Sequence, residues 1–256
     1  MPSVPIVEPQ DLSVLFAESF EMRRVFVRCA AWALLVGAVA SSGFFDAIAK
    51  EGDCTAEDCP NRAASRAGAA RDFDFYVLAL SWSPGFCESI EGARDQCEPG
   101  KGLGFVVHGL WPQYESGVPS ECPGARSPSR VAIEKAAGLF PDERLARYEW
   151  RKHGVCSGKS PSDYFADVAR AHAAVAIPPL FVKPARDQTF TPIDVERAFY
   201  EVNPRLRPGM MAVSCRRGVM DGVRICLSKD LREFRACPAV AQRGCHVREI
   251  SAPAPL

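Results

Sequence analysis

At 256 residues, with 47% hydrophobic and 24% charged, the chain can fill one large domain or two small ones and is too apolar for a disordered polymer. Its 31 basic and 31 acidic residues balance to a formal net charge of zero, which excludes a general nucleic-acid binder working through overall charge. Any polyanion must therefore be met by a local patch.

Residues 1–21 hold Glu8, Asp11, Glu18 and Glu21 and no Lys or Arg, the wrong charge for the leading end of an export signal. Met22 is therefore read as the true start, with 1–21 upstream of the native protein. From there Arg23, Arg24 and Arg28 form a basic region, Cys29 to Ala40 an apolar run, and Ala47-Ile48-Ala49 a small-x-small cleavage site. Residues 22–49 are expected to be a secretory signal peptide. The apolar run falls short of the ~20 residues that span a bilayer, so no membrane attachment is expected of the mature form. Cysteine usage agrees with export: of eleven cysteines Cys29 lies in the signal, and the ten that remain suit a disulfide framework in an oxidising compartment, periplasmic or extracellular. No cysteines show the paired spacing of a zinc site, and neither metal nor cofactor is expected.

Residues 50–72 are small, charged and patternless, a leader segment with room for a local Cys54 to Cys59 loop. Phe73 to Trp82 (FDFYVLALSW) reads as a central strand ended by Ser83-Pro84-Gly85. After a loop containing Cys87 and Cys97, Gly104 to Pro112 (GFVVHGLWP) reads as a buried strand that carries His108 to an opening and stops at Gly109. A Pro-, Gly- and Ser-rich loop with Cys122 follows. Ser127-Pro128 and Ser160-Pro161 each offer an N-cap serine with proline at the first helical position, and Thr191-Pro192 opens a helix through about Val202. Between them, Pro141 to His153 is a helix ended by Gly154 as its C′ residue. From Met210 onward MMAVSC, VRICLS and FRAC read as short strands. Separate strands and helices without regular alternation give an α+β fold, a central antiparallel sheet with flanking helices, stapled by disulfides.

The chemistry centres on two histidines. His108 and His153 are the minimum equipment for moving protons in opposite directions near neutral pH. Glu149, Lys152 and His153 are spaced i, i+3, i+4, so a carboxylate, an ammonium and an imidazole share one helical face. Such a face suits a phosphate: Lys152 can neutralise charge on phosphorus while Glu149 orients His153. The helix C-terminus and Glu149 favour protonated His153, and Lys152 opposes them. Each residue also has a plainer reading, a solvated ion pair for Glu149 and Lys152 and a hydrogen-bonded core residue for His108. His172 and His246 have no acid or base partner nearby in sequence and are read as structural.

HGLWP followed by EWRKHGVC, with cysteines at 122 and 156, resembles the ribonuclease T2 family of secreted, metal-independent endoribonucleases, here of a bacterial periplasmic type. The resemblance runs from about Phe75 to near Cys245 and implies a single α+β domain over 73–250. It implies that His108 and His153 are the catalytic imidazoles, Glu149 and Lys152 transition-state stabilisers, and Trp111 a base-contacting aromatic. Tyr148 stands where many members carry a further histidine, so the substrate contact at that position departs from the family. His153 is assigned as base on the ribose 2′-hydroxyl and His108 as acid to the 5′-oxygen, giving a 2′,3′-cyclic phosphate from single-stranded RNA. The family pattern pairs Cys87 with Cys97, Cys122 with Cys156, Cys215 with Cys245 and Cys226 with Cys237, leaving Cys54 and Cys59 for each other. A monomer is expected. Two other readings stay open: a secreted binding or signalling protein on the same fold without catalysis, and a disulfide-rich domain with accidental motifs.

Overall fold

In the computed structural model, the residues described are 72–89, 95–120 and 122–256. Met22, the expected signal 22–49, the leader up to residue 71, Cys54 and Cys59 lie outside them.

Strand β1 (Phe75–Trp82) is the central strand that its aromatic and branched run predicts, and it is buried on both faces. Tyr76, Leu78, Leu80 and Trp82 enter the main core, while Phe75 and Val77 join a smaller cluster with Trp111, Cys226 and Cys237. This is the alternation of a pleated strand covered on two sides. β1 pairs antiparallel with β2 (Phe105–Gln113) on one side and β5 (Val219–Ser228) on the other. β4 (Met211–Arg216) pairs antiparallel with β5, and the short β3 (Gln188–Phe190) and β6 (Ile250–Ala252) complete a six-stranded sheet.

Gly109 does not stop β2, which runs on to Gln113. Ala79 pairs with Gly109 and Leu80 with Val107, so His108 is the extra residue of a β-bulge. The FRAC segment supplies only one bridge, Leu227 to Phe234. β3 and β6 escape sequence reading because three residues are too few to display a period of two. The expected domain end at 250 cuts through β6, beyond which Ala252 and Pro253 are buried and Trp82 Nε1 donates to the Pro253 carbonyl at 3.0 Å.

Helix α1 (Ser83–Ser89) begins directly at the Ser-Pro-Gly punctuation after β1. α2 (Arg130–Glu134) is capped by Ser129 rather than Ser127: the Ala132 N–H donates to the Ser129 hydroxyl at 3.2 Å. α3 (Glu143–Lys152) is capped by Asp142, which accepts from Leu145 N–H at 2.8 Å. α4 (Pro161–Ala173) and α5 (Pro192–Val202) start as predicted, with Ser160 and Thr191 as caps and proline at the first position. α6 (Pro238–Ala241) is a single turn.

The end of α3 differs from expectation. Gly154 opens a 3₁₀ turn (Gly154–Ser157), and the left-handed residue is Gly158, with φ of 66°. Gly154 is required for space: a Cβ there would lie 2.5 Å from the Trp150 ring and 2.9 Å from Tyr164. α3 and α4 both pack against β2, and the Tyr164 hydroxyl on α4 donates to the Leu110 carbonyl at 2.9 Å. Disulfides join Cys87 to Cys97, Cys122 to Cys156, Cys215 to Cys245 and Cys226 to Cys237. Among the described residues, no helix is long and apolar enough to cross a membrane.

Candidate active site

The bulge in β2 sets the geometry of the site. An extra residue re-aims its own side chain, and here it turns the His108 ring so that Nδ1 lies 2.9 Å from the Ser81 hydroxyl of β1 and Nε2 lies 3.4 Å from Glu149 Oε1. Gly109 follows at once. A Cβ at this position would fall 2.1 Å from Glu149 Oε2 and 2.6 Å from Trp111 Nε1. Only glycine lets the α3 carboxylate settle onto the strand, where Glu149 Oε2 accepts the Trp111 indole N–H at 2.7 Å. Glu149 is 1% exposed, and its other oxygen, Oε1, makes no hydrogen bond; its approach to His108 is an ion-pair contact only.

His153 caps α3, its backbone N–H donating to the Glu149 carbonyl at 2.9 Å. Its ring centroid stands 5.1 Å from that of Trp111, and the His108 centroid stands 5.6 Å from the same indole, edge-on. Trp111 thus gathers both imidazoles and the carboxylate, at the rim of the smaller apolar cluster. Burial holds the His153 imidazole below its ordinary pKa; Lys152 and His108 act in the same direction and Glu149 opposes them. The sequence reading weighed the charges and missed the burial, which is the largest cause.

Of the three residues predicted to share a helical face, Glu149 and Lys152 lie on α3 while His153 is its C-cap with non-helical dihedrals, and they differ in environment: buried, exposed and half-buried. Tyr148 is 45% exposed. It lines a cleft of about 380 Å³ together with His108, Ser81, Gln96, Arg144 and Arg151. A cleft of about 430 Å³ between α2 and α3 contains none of the predicted site residues. Sequence reasoning missed Ser81 and Arg224, whose guanidinium carbon lies 5.6 Å from the Trp111 ring centroid. Neither carries a local signal, since strand pairing alone brings them to the site. His172 is half-buried on α4, and His246 meets the Gln242 carbonyl at 2.9 Å. Among the described residues, no group of three or more His, Cys, Asp or Glu side chains is placed to hold a metal ion.

The sequence model of the Ribonuclease T2 family matches residues 73–237, well over half of the chain. The chain belongs to the ribonuclease T2 family. Among curated relatives, a protein named "Ribonuclease" from Aeromonas hydrophila is 50% identical over 97 residues, covering 38% of this chain and 44% of that protein. A "Probable ribonuclease" from Haemophilus influenzae is 35% identical over 132 residues, covering 46% of this chain and 48% of that protein. The matches thus span less than half the length of either relative. Of solved structures, an RNase-related protein from Calystegia sepium superposes with a TM-score of 0.58 at 22% identity, covering 72% of this chain and 98% of that one, and so shares the fold.

Proposed function

We propose that the protein is a metal-independent endoribonuclease that cuts single-stranded RNA by transphosphorylation. The observation that carries this reading is the pair of imidazoles set against one indole, with the buried Glu149 carboxylate between Trp111 and His108. Cleavage by a neighbouring hydroxyl needs one neutral imidazole and one protonated one. Burial lowers the His153 pKa and so favours its neutral form, which suits the base that takes the ribose 2′ proton. The 2′-oxygen attacks the adjacent phosphorus in line, and the exposed Lys152 ammonium neutralises charge growing on the phosphoryl oxygens. His108, its ring fixed from Nδ1 by Ser81 and half-exposed toward the cleft, protonates the departing 5′-oxygen. The products are a 2′,3′-cyclic phosphate and a 5′-hydroxyl. Tyr148, exposed in the same cleft as His108, supplies a substrate contact, as does the accessible part of Trp111.

The test uses single-stranded RNA and DNA of one sequence, with and without EDTA. RNA should be cut to cyclic-phosphate ends in the chelator, and DNA should stay whole because it lacks the nucleophile. His108→Ala and His153→Ala should each slow cleavage ~10² to 10⁴-fold, the usual worth of a positioned acid or base. Equal cleavage of DNA, or loss of activity in EDTA, would overturn the two-histidine mechanism.

A further inference from the structure

We propose that Arg224 binds a phosphodiester of the RNA strand adjacent to the one that is cut. This inference rests on the ribonuclease reading above. Arg224 lies on β5, where it pairs with Ala79 of β1 and Ala212 of β4. Both cross-strand neighbours are alanine and the next residue on its face is Gly222, so the guanidinium stands over a floor of small side chains. Toward β2 it meets the Trp111 ring at 5.6 Å, the indole that also gathers His108 and His153.

Arg224 is half-buried, yet among the described residues it makes no ion pair and none of its five N–H donors has a hydrogen-bond partner. Arg235, whose backbone N–H donates to the Cys226 carbonyl of β5, is by contrast answered by Glu115 at 2.5 Å. Contact with the indole attracts the cation but leaves its N–H edges without acceptors. A partly desolvated guanidinium with unused donors, beside a site for phosphodiester chemistry, is matched by a planar-forked acceptor such as a phosphodiester. Its described contact is with Trp111, beside the two imidazoles, which assigns it to a flanking phosphate rather than to the scissile one.

Two measurements test this independently of turnover and with it. Binding of a fluorescent 2′-O-methyl oligoribonucleotide, uncleavable because its 2′-oxygens are blocked, is titrated over a range of salt for the wild type, Arg224→Met and the exposed control Arg232→Met. Arg224→Met should weaken binding about tenfold and reduce the salt slope by ~0.7, the share of one phosphate contact on a single strand; Arg232→Met should change neither. In cleavage, Arg224→Met should raise KM for a trinucleotide with one flanking phosphate and leave a dinucleoside monophosphate, which has only the scissile one, unaffected. An unchanged salt slope would overturn the proposal, as would equal loss on the dinucleoside monophosphate. If Arg224→Met melted below the assay temperature, Arg224→Lys would serve, with retained slope and weaker binding expected. A wild-type chain that bound the oligonucleotide but cut no RNA would end the ribonuclease reading, while the binding arm would still decide the role of Arg224.

Discussion

Gly109 controls how closely α3 approaches β2, and therefore where the Glu149 carboxylate stands. Gly109→Ala places a methyl 2.1 Å from Glu149 Oε2. The carboxylate must then move and release the Trp111 N–H, and because misplacement of ~1 Å can cost ~10²-fold in rate, kcat/KM on RNA should fall by about that factor. Circular dichroism should show the fold retained. Ser81 acts through His108: Ser81→Ala removes one hydrogen bond, worth ~1 kcal/mol, so kcat should fall several-fold with KM unchanged, and Ser81→Thr should restore part of it. His153 gives a signed pH dependence. Its pKa is depressed on folding, so between the folded value and the unfolded ~6.5 the unfolded chain binds more protons, and stability falls as pH drops through that window. The acidic limb of kcat/KM should accordingly lie below pH 6.5. Glu149→Gln, which removes a carboxylate that raises that pKa, should move the limb to still lower pH; a shift upward would contradict the assignment.

At the scale of elements, the site is an edge strand with two helices pressed on it, and the contacts between those elements decide its precision. The Cys122–Cys156 disulfide ties the loop after β2 to the turn that ends α3, three residues beyond His153. Replacing both cysteines with alanine should cost ~2 to 5 kcal/mol of stability and lower activity more than an equal destabilisation elsewhere, measured by urea unfolding alongside RNA cleavage. α4 carries a second constraint that its sequence hides. Asp167 is 2% exposed and is held by both Lys159, just before the helix, and Arg170, one turn on. Asp167→Ala removes two charge-assisted hydrogen bonds from a buried position. The expected loss is ~1 to 3 kcal/mol, discounted because both cations are partly exposed, with kcat on RNA little changed.

For the whole molecule, we place export among the proposals: a chain begun at Met22 should be secreted and processed, with the mature N-terminus at or near Lys50 by mass analysis. Retention of residues 1–21 in the secreted form would contradict it. Several local signals could be read from residue types and spacing, although the serine cap of α2 was placed at Ser127 instead of Ser129. The β1 run, the Ser160 and Thr191 caps with their prolines, and the helix bearing Glu149 and His153 all depend on neighbours within about a turn. Where a structural feature depends on chain segments meeting, the same residues misled or stayed silent. Gly109 and Gly154 look like stop signals, but each is glycine because another element leaves no room for a Cβ: the Glu149 carboxylate in one case, the Trp150 and Tyr164 rings in the other. The bulge at His108 exists only relative to the register of β1, and Ser81 and Arg224 reach the site only through strand pairing. The sequence by itself determined the fold class and pointed to His108, His153, Glu149 and Lys152 as candidates, since these follow from periodicity, capping and motif. Tertiary structure alone decided how far each group is buried and what it faces, because desolvation and contact are properties of assembled surfaces and leave no periodic trace in the chain.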